Sequence, residues 1–94
     1  MSMVRAHVII QGMVQGVFFR AHTRDEAKRY NLTGWVRNRR DGGVEAIFEG
    51  TEQNVKKVLD WCHKGPPWSH VADVHVDWED YTGEFKDFSI TYRY

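Results

Sequence analysis

The stretch TGWVRNRRDGGVEAIFEG, residues 33–50, decides the architecture. Its two arms alternate in polarity and meet at Asp41-Gly42-Gly43, residues that tolerate the positive φ a tight hairpin requires. On the first arm Gly34, Val36 and Asn38 share one face, and Trp35, Arg37 and Arg39 share the other. On the second arm Val44, Ala46 and Phe48 oppose Glu45, Ile47 and Glu49, because successive side chains of a strand point to opposite sides. The hairpin sits mid-chain, so whatever lies before and after it must supply the remaining layers.

Before it, residues 4–12 (VRAHVIIQG) set Val4, Ala6, Val8 and Ile10 against Arg5, His7, Ile9 and Gln11, the period of a strand with one buried face. A glycine-interrupted loop then leads to AHTRDEAKRYNL, residues 21–32, which reads as a helix with Thr23, Ala27 and Tyr30 inward. Thr23 and Glu26 have capping-box spacing, and a start at Phe19 or Arg20 fits the text equally. After the hairpin, Thr51 suits the N-cap of a second helix whose Val55, Val58, Leu59 and Cys62 fall at i, i+3, i+4 and i+7. Gly65 and two prolines end it. Residues 71–78 alternate Val74, Val76 and Trp78 against Asp73, His75 and Asp77, and the closing FSITYRY puts Phe88, Ile90, Tyr92 and Tyr94 on one face. The order predicts an α+β fold: a ferredoxin-like βαββαβ sandwich, its antiparallel sheet carrying both helices on one face, with an extra C-terminal strand. Ninety-four residues make one domain, 1–94, without room for a second packed core.

Thirteen basic residues balance thirteen acidic ones, so generic phosphate neutralisation is handicapped and nucleic acid is not an expected partner. The distribution is uneven. Residues 1–40 carry eight Lys or Arg against Asp25 and Glu26, which directs any anion site to the first half. Cys62 is alone and cannot close an internal disulfide, and no segment has the order of a secretion signal or an apolar run of about 20 residues. A cytoplasmic chain without membrane attachment is the expectation. The acidic run of residues 73–87 reads as a solvated face.

The chemistry concentrates in QGMVQGVFFR, residues 11–20. A strand, a glycine-interrupted loop and a following helix can turn consecutive backbone N–H groups toward an anion, with the helix N-terminus adding positive potential. Gln15, Gly16, Val17, Phe18 and Phe19 would supply those amides, and Arg20 a planar fork that matches two phosphate oxygens. The glycine spacing alone also fits any tight strand-to-helix connection. No Gly-Lys-Ser/Thr follows, and the spacing after Gly12 is not the dinucleotide fingerprint, so a small anion is the expected ligand. Asn38 stands beside the turn, either satisfying nearby backbone or serving a site. The five histidines, His7, His22, His63, His70 and His75, show no metal-ligand spacing, so no metal and no cofactor are expected.

Taken together, GMVQGVFFR, GWVRNRRDGGVEAIFEG, W..KGPP...V..V and a closing F.I.Y resemble the acylphosphatase family over nearly the full chain, in order and at the usual separations. The resemblance implies a ferredoxin-like domain that hydrolyses acyl phosphates to a carboxylate and inorganic phosphate without a metal. It implies that Arg20 and the amides of residues 15–19 hold the phosphate and that Asn38 positions the attacking water. An acyl phosphate, with phosphate or another small anion, is then the expected partner of a monomer. The chemistry agrees with so sparse a site, since a carboxylate of conjugate-acid pKa about 4 departs without a general acid. Two other classes share the element order. An RNA-recognition module would need the RNP1 pattern on GGVEAIFEG, which lacks it and places Glu45 and Glu49 where phosphate would be repelled. A ferredoxin-like regulatory domain would bind without turnover and is normally attached to an enzyme.

Overall fold

The computed structural model describes residues 2–92. In chain order they form β1 (Met3–Met13), α1 (Phe19–Arg29), β2 (Thr33–Asn38), β3 (Val44–Thr51), α2 (Glu52–Lys64), β4 (His70–Glu79) and β5 (Phe88–Ile90). The sheet order is β4-β1-β3-β2-β5. Interleaving β1 and β3 between the partners that each helix connects gives the split βαβ arrangement expected from the pattern. The register carries that pattern across the sheet: Val8 faces Ala46 on β3 and Val76 on β4, and Val36 on β2 faces the same Ala46. Small and branched apolar residues thus form continuous rows beneath the helices.

α1 packs over β2 and β5, and α2 over β1, β3 and β4. Val55, Val58, Leu59 and Cys62 of α2 join Ala27 of α1 and the inward strand residues in one core, where Phe48 and Phe88 stack with centroids 5.4 Å apart. Offset aromatic pairs of this kind add to what area burial contributes. The Thr51 hydroxyl accepts from the Asn54 amide at 3.4 Å, as an N-cap should, and Gly65 closes α2 with positive φ.

One expectation is corrected, the direction of the last strand: the sheet is antiparallel from β4 through β2, but β5 joins the edge parallel to β2, with Gly34 opposite Phe88 and Val36 opposite Ile90. The terminal strand is also short, since Tyr92 lies past its end and Tyr94 lies outside the described residues. The acidic run is exposed as expected, at Asp73, Asp77, Glu79, Asp80, Glu84 and Asp87, and its residues 80–87 return across the open face of the sheet from the β4 edge to the β5 edge. Glu49, 1% exposed, ties that crossing down. It accepts from the Thr82 amide at 2.9 Å, the Thr82 hydroxyl at 3.0 Å, the Gly83 amide at 3.1 Å and the Arg5 guanidinium at 3.3 Å. Burial alone would raise its pKa; the four donors outweigh burial and hold it below the ordinary value. Beside it Glu45 takes bonds from His7 and Arg37, which likewise overcome burial and lower its pKa. β3 is therefore buried on both faces, apolar toward the helices and ion-paired toward the crossing segment.

Candidate functional site

β1, β2 and β5 run in one direction, so all three deliver their C-terminal ends to the same edge of the molecule. The loop after β1, Asn38 at the end of β2 and Tyr92 beyond β5 meet there. The first glycine lies inside β1, one residue before its end, and shifts its register against β4. Gly12 sits at an irregularity in the pairing of β1 with β4, at φ 133°, and a Cβ there would lie 2.1 Å from the His70 carbonyl oxygen. Only a residue without a side chain allows this approach.

The second glycine shapes the turn itself. Gly16 at φ 74° has open space around it, so its freedom is needed for φ and not for clearance. Phe18 is also left-handed, at φ 59° and ψ 24°, a conformation costing on the order of 1–2 kcal/mol in a residue with a Cβ. Positive φ at Gly16 and Phe18, with negative φ at Val17 between them, is the alternation that turns successive N–H groups into one concavity. None of the amides of Gln15, Gly16, Val17, Phe18 and Phe19 donates to an acceptor among the described residues. α1 starts at Phe19, which settles the ambiguous boundary, and Thr23 is no cap: it is buried and its hydroxyl donates back to the Phe19 carbonyl at 2.8 Å.

Arg20 follows in the first turn. Arginines elsewhere are tied to acids: Arg5 to Glu79 and Glu84, Arg24 to Asp25, Arg29 to Glu26, Arg37 to Glu45 and Arg39 to Asp41. Arg20 has no carboxylate partner among the described residues and contacts the ring of Tyr92, with Cζ 5.1 Å from the centroid. Asn38, two residues beyond Val36 on the helix-facing side of β2, brings a buried Oδ1 that accepts no hydrogen bond among the described residues. Gly16, Phe18, Phe19, Arg20, Asn38, Ile90 and Tyr92 line one cavity of about 270 Å³, with Val14 and Ala21 completing it.

Two residues of the loop point elsewhere. Val17 packs against the core. The Gln15 side chain reaches the hairpin turn, where its Nε2 donates to the carbonyls of Arg39 at 2.7 Å and Gly43 at 2.8 Å. That turn is itself organised by Asp41, whose carboxyl is held far below the usual range by Arg39, the Gly43 amide and Gln11. Gln15 therefore clamps the loop to the strand end that carries Asn38. Nothing in its spacing revealed this, nor the placement of Tyr92, which depends on the parallel β5.

Residues 6–90 match the family model described as Acylphosphatase. The chain belongs to the acylphosphatase family. The acylphosphatase of Pelotomaculum thermopropionicum is 53% identical over 98% of this chain and 100% of that protein, and the one of Pyrobaculum aerophilum is 56% identical over 96% of each. Among solved structures, the crystal structure of acylphosphatase from Bacillus subtilis superposes with a TM-score of 0.92 at 37% identity, covering 95% of this chain and 99% of that one. Family and fold together support acyl phosphate hydrolysis over the binding-module classes.

Wider hollows lie on the opposite, open face. One of about 430 Å³ is lined by Arg37, Arg39, Arg40, Asp41 and Glu45, and one of about 600 Å³ includes Trp35, Arg37 and Phe85. Arg37 and Arg39 are engaged there by Glu45 and Asp41. An anion would have to displace those carboxylates, whereas the cavity at Arg20 presents its cation without one among the described residues. No described helix is long and apolar enough to cross a membrane.

Proposed function

We propose that this acylphosphatase-family chain hydrolyses acyl phosphates at the cavity between residues 15–20 and Asn38, with no metal ion. The observation that carries the reading is one cavity lined by Gly16, Phe18, Phe19, Arg20 and Asn38 in which, among the described residues, the loop amides have no acceptor, the arginine no carboxylate and the buried Asn38 oxygen no donor. The amides of Gln15, Gly16, Val17, Phe18 and Phe19 and the Arg20 guanidinium surround the phosphoryl oxygens, each charge-assisted bond contributing about 1.5–3 kcal/mol. Asn38 Oδ1 accepts a hydrogen bond from a water and aims its oxygen at phosphorus, in line with the acyl oxygen. As the new P–O bond forms, the P–O bond to the acyl group breaks, and the carboxylate leaves with the electron pair. One proton of the water stays on phosphate and the other passes to solvent. Phosphoryl transfer asks for stabilised equatorial oxygens and an aligned nucleophile, and this set of groups supplies both. Every group comes from one chain, so a monomer of a single domain suffices.

The test is hydrolysis of benzoyl phosphate, followed in the ultraviolet with a chelator present. Arg20→Ala should raise KM and the Ki of inorganic phosphate and cut kcat/KM by about 10²–10³. Asn38→Ala should lower kcat with little change in KM. A simple alkyl phosphate, whose leaving group has a much higher pKa, should be turned over poorly for want of an acid. An inert wild type, activity abolished by the chelator, or a folded Arg20→Ala variant with unaltered saturation would overturn the proposal.

A further inference from the structure

We infer that Tyr92 is a positioning residue for Arg20: its ring holds the guanidinium over the cavity without neutralising it. The inference rests on the phosphate-binding role proposed for Arg20. Its evidence is the contrast among the arginines. Arg5, Arg24, Arg37 and Arg39 are each oriented by a carboxylate, which fixes the side chain and cancels its charge. Such a partner at Arg20 would compete with the phosphate for the same in-plane N–H groups. An aromatic ring attracts the cation through its quadrupole and accepts none of those hydrogen bonds. Tyr92 places Arg20 Cζ 5.1 Å from its ring centroid while remaining 74% exposed, so the ring is present for what it touches and not as core.

The backbone delivers Tyr92 with little freedom. β5 runs parallel to β2, and immediately beyond it the Thr91 amide donates to the Val36 carbonyl at 2.9 Å, two residues before Asn38. Tyr92 and Asn38 therefore leave neighbouring strands at the same end and line the same cavity. An antiparallel β5 would have carried Tyr92 to the far side of the molecule. The phenolic hydroxyl has no part in the contact, so phenylalanine should serve as well.

The experiment measures KM and kcat for benzoyl phosphate, and inorganic phosphate affinity by calorimetry, in the wild type, Tyr92→Leu and Tyr92→Phe. Tyr92→Leu should weaken phosphate binding and raise KM about two- to fivefold, the equivalent of ~0.5–1 kcal/mol for an exposed cation–π contact, with the melting temperature unchanged. Tyr92→Phe should match the wild type, and Tyr92→Leu should have no further effect on phosphate affinity when added to Arg20→Ala. Unaltered phosphate affinity in Tyr92→Leu, a Tyr92→Phe variant as impaired as Tyr92→Leu, or an undiminished effect in the Arg20→Ala background would each overturn the inference. Calorimetry separates the two claims. A wild type that binds phosphate through Arg20 and Tyr92 but turns nothing over sinks the hydrolytic reading alone. Turnover that depends on Arg20 but not on Tyr92 sinks this one alone.

Discussion

Replacing Glu49 with glutamine tests how the crossing segment is held. All four neighbours of the carboxylate are donors: the Thr82 amide and hydroxyl and Arg5 Nη1 meet Oε2, and the Gly83 amide meets Oε1. A glutamine has one acceptor oxygen. Turned to its better orientation it keeps three donors, with bonds reduced to neutral strength, and sets its NH2 against the Gly83 N–H. An unpaired buried donor costs about 1–3 kcal/mol, and loss of charge assistance adds roughly 1 kcal/mol more. Glu49→Gln should therefore destabilise the protein by about 2–4 kcal/mol, lowering Tm by roughly 10–30 °C at 4–8 °C per kcal/mol. The assay is thermal unfolding by circular dichroism at pH 7, repeated down to pH 3. The pKa of Glu49 is depressed in the folded state, so its contribution is complete above the ordinary 4.5 and is lost as pH falls through the folded value. The wild type should accordingly lose stability more steeply below about pH 4.5 than Glu49→Gln does, Glu45 accounting for part of what slope remains. A variant that melts within 2 °C of wild type with the same acid slope would refute the four-donor account.

Gln15→Ala removes both bonds to the hairpin turn. Because Gln15 is exposed and water can replace them, the stability cost should stay near 1 kcal/mol, while kcat/KM for benzoyl phosphate falls about 10–100-fold as the loop loses its registry with Asn38. Activity within twofold of wild type would show that the clamp is dispensable. Cys62, buried beneath α2 with its thiol pushed up to about 12 by desolvation and by Glu26, should resist an aromatic disulfide reagent at pH 8 in the native state and react at once in guanidinium chloride. Fast native labelling would mean that α2 opens far more readily than its packing allows.

Periodicity made the elements legible. Val4, Ala6, Val8 and Ile10, or Val55, Val58, Leu59 and Cys62, each repeat at the spacing of one structure only, and a buried face must be covered by another. The hairpin at Asp41-Gly42-Gly43 was equally plain, since few residues other than glycine accept such a turn. Loop chemistry could be read to the extent that residue types dictate it: Gly12 and Gly16 mark backbone that no other residue adopts easily, and Arg20 marks a cation at a helix start. The first residue of α1 was not legible, because Thr23 has the chemistry of a cap and is used instead to bond Phe19 inside the helix.

What the amino-acid sequence by itself determined was therefore local: which segments are strand or helix, which face each one buries, where the chain must turn and which residue types gather in the turns. These follow from side-chain alternation and backbone sterics over a few residues. Tertiary structure alone decided the direction of β5, and with it the meeting of Tyr92 and Arg20. It also decided that Gln15 reaches the hairpin, that Glu49 anchors residues 80–87, and that the Asn38 oxygen is enclosed without a donor among the described residues. Each of these joins residues more than twenty positions apart or depends on a partner strand. No spacing along the chain encodes such a contact; it exists only once burial of the apolar faces has brought the segments together.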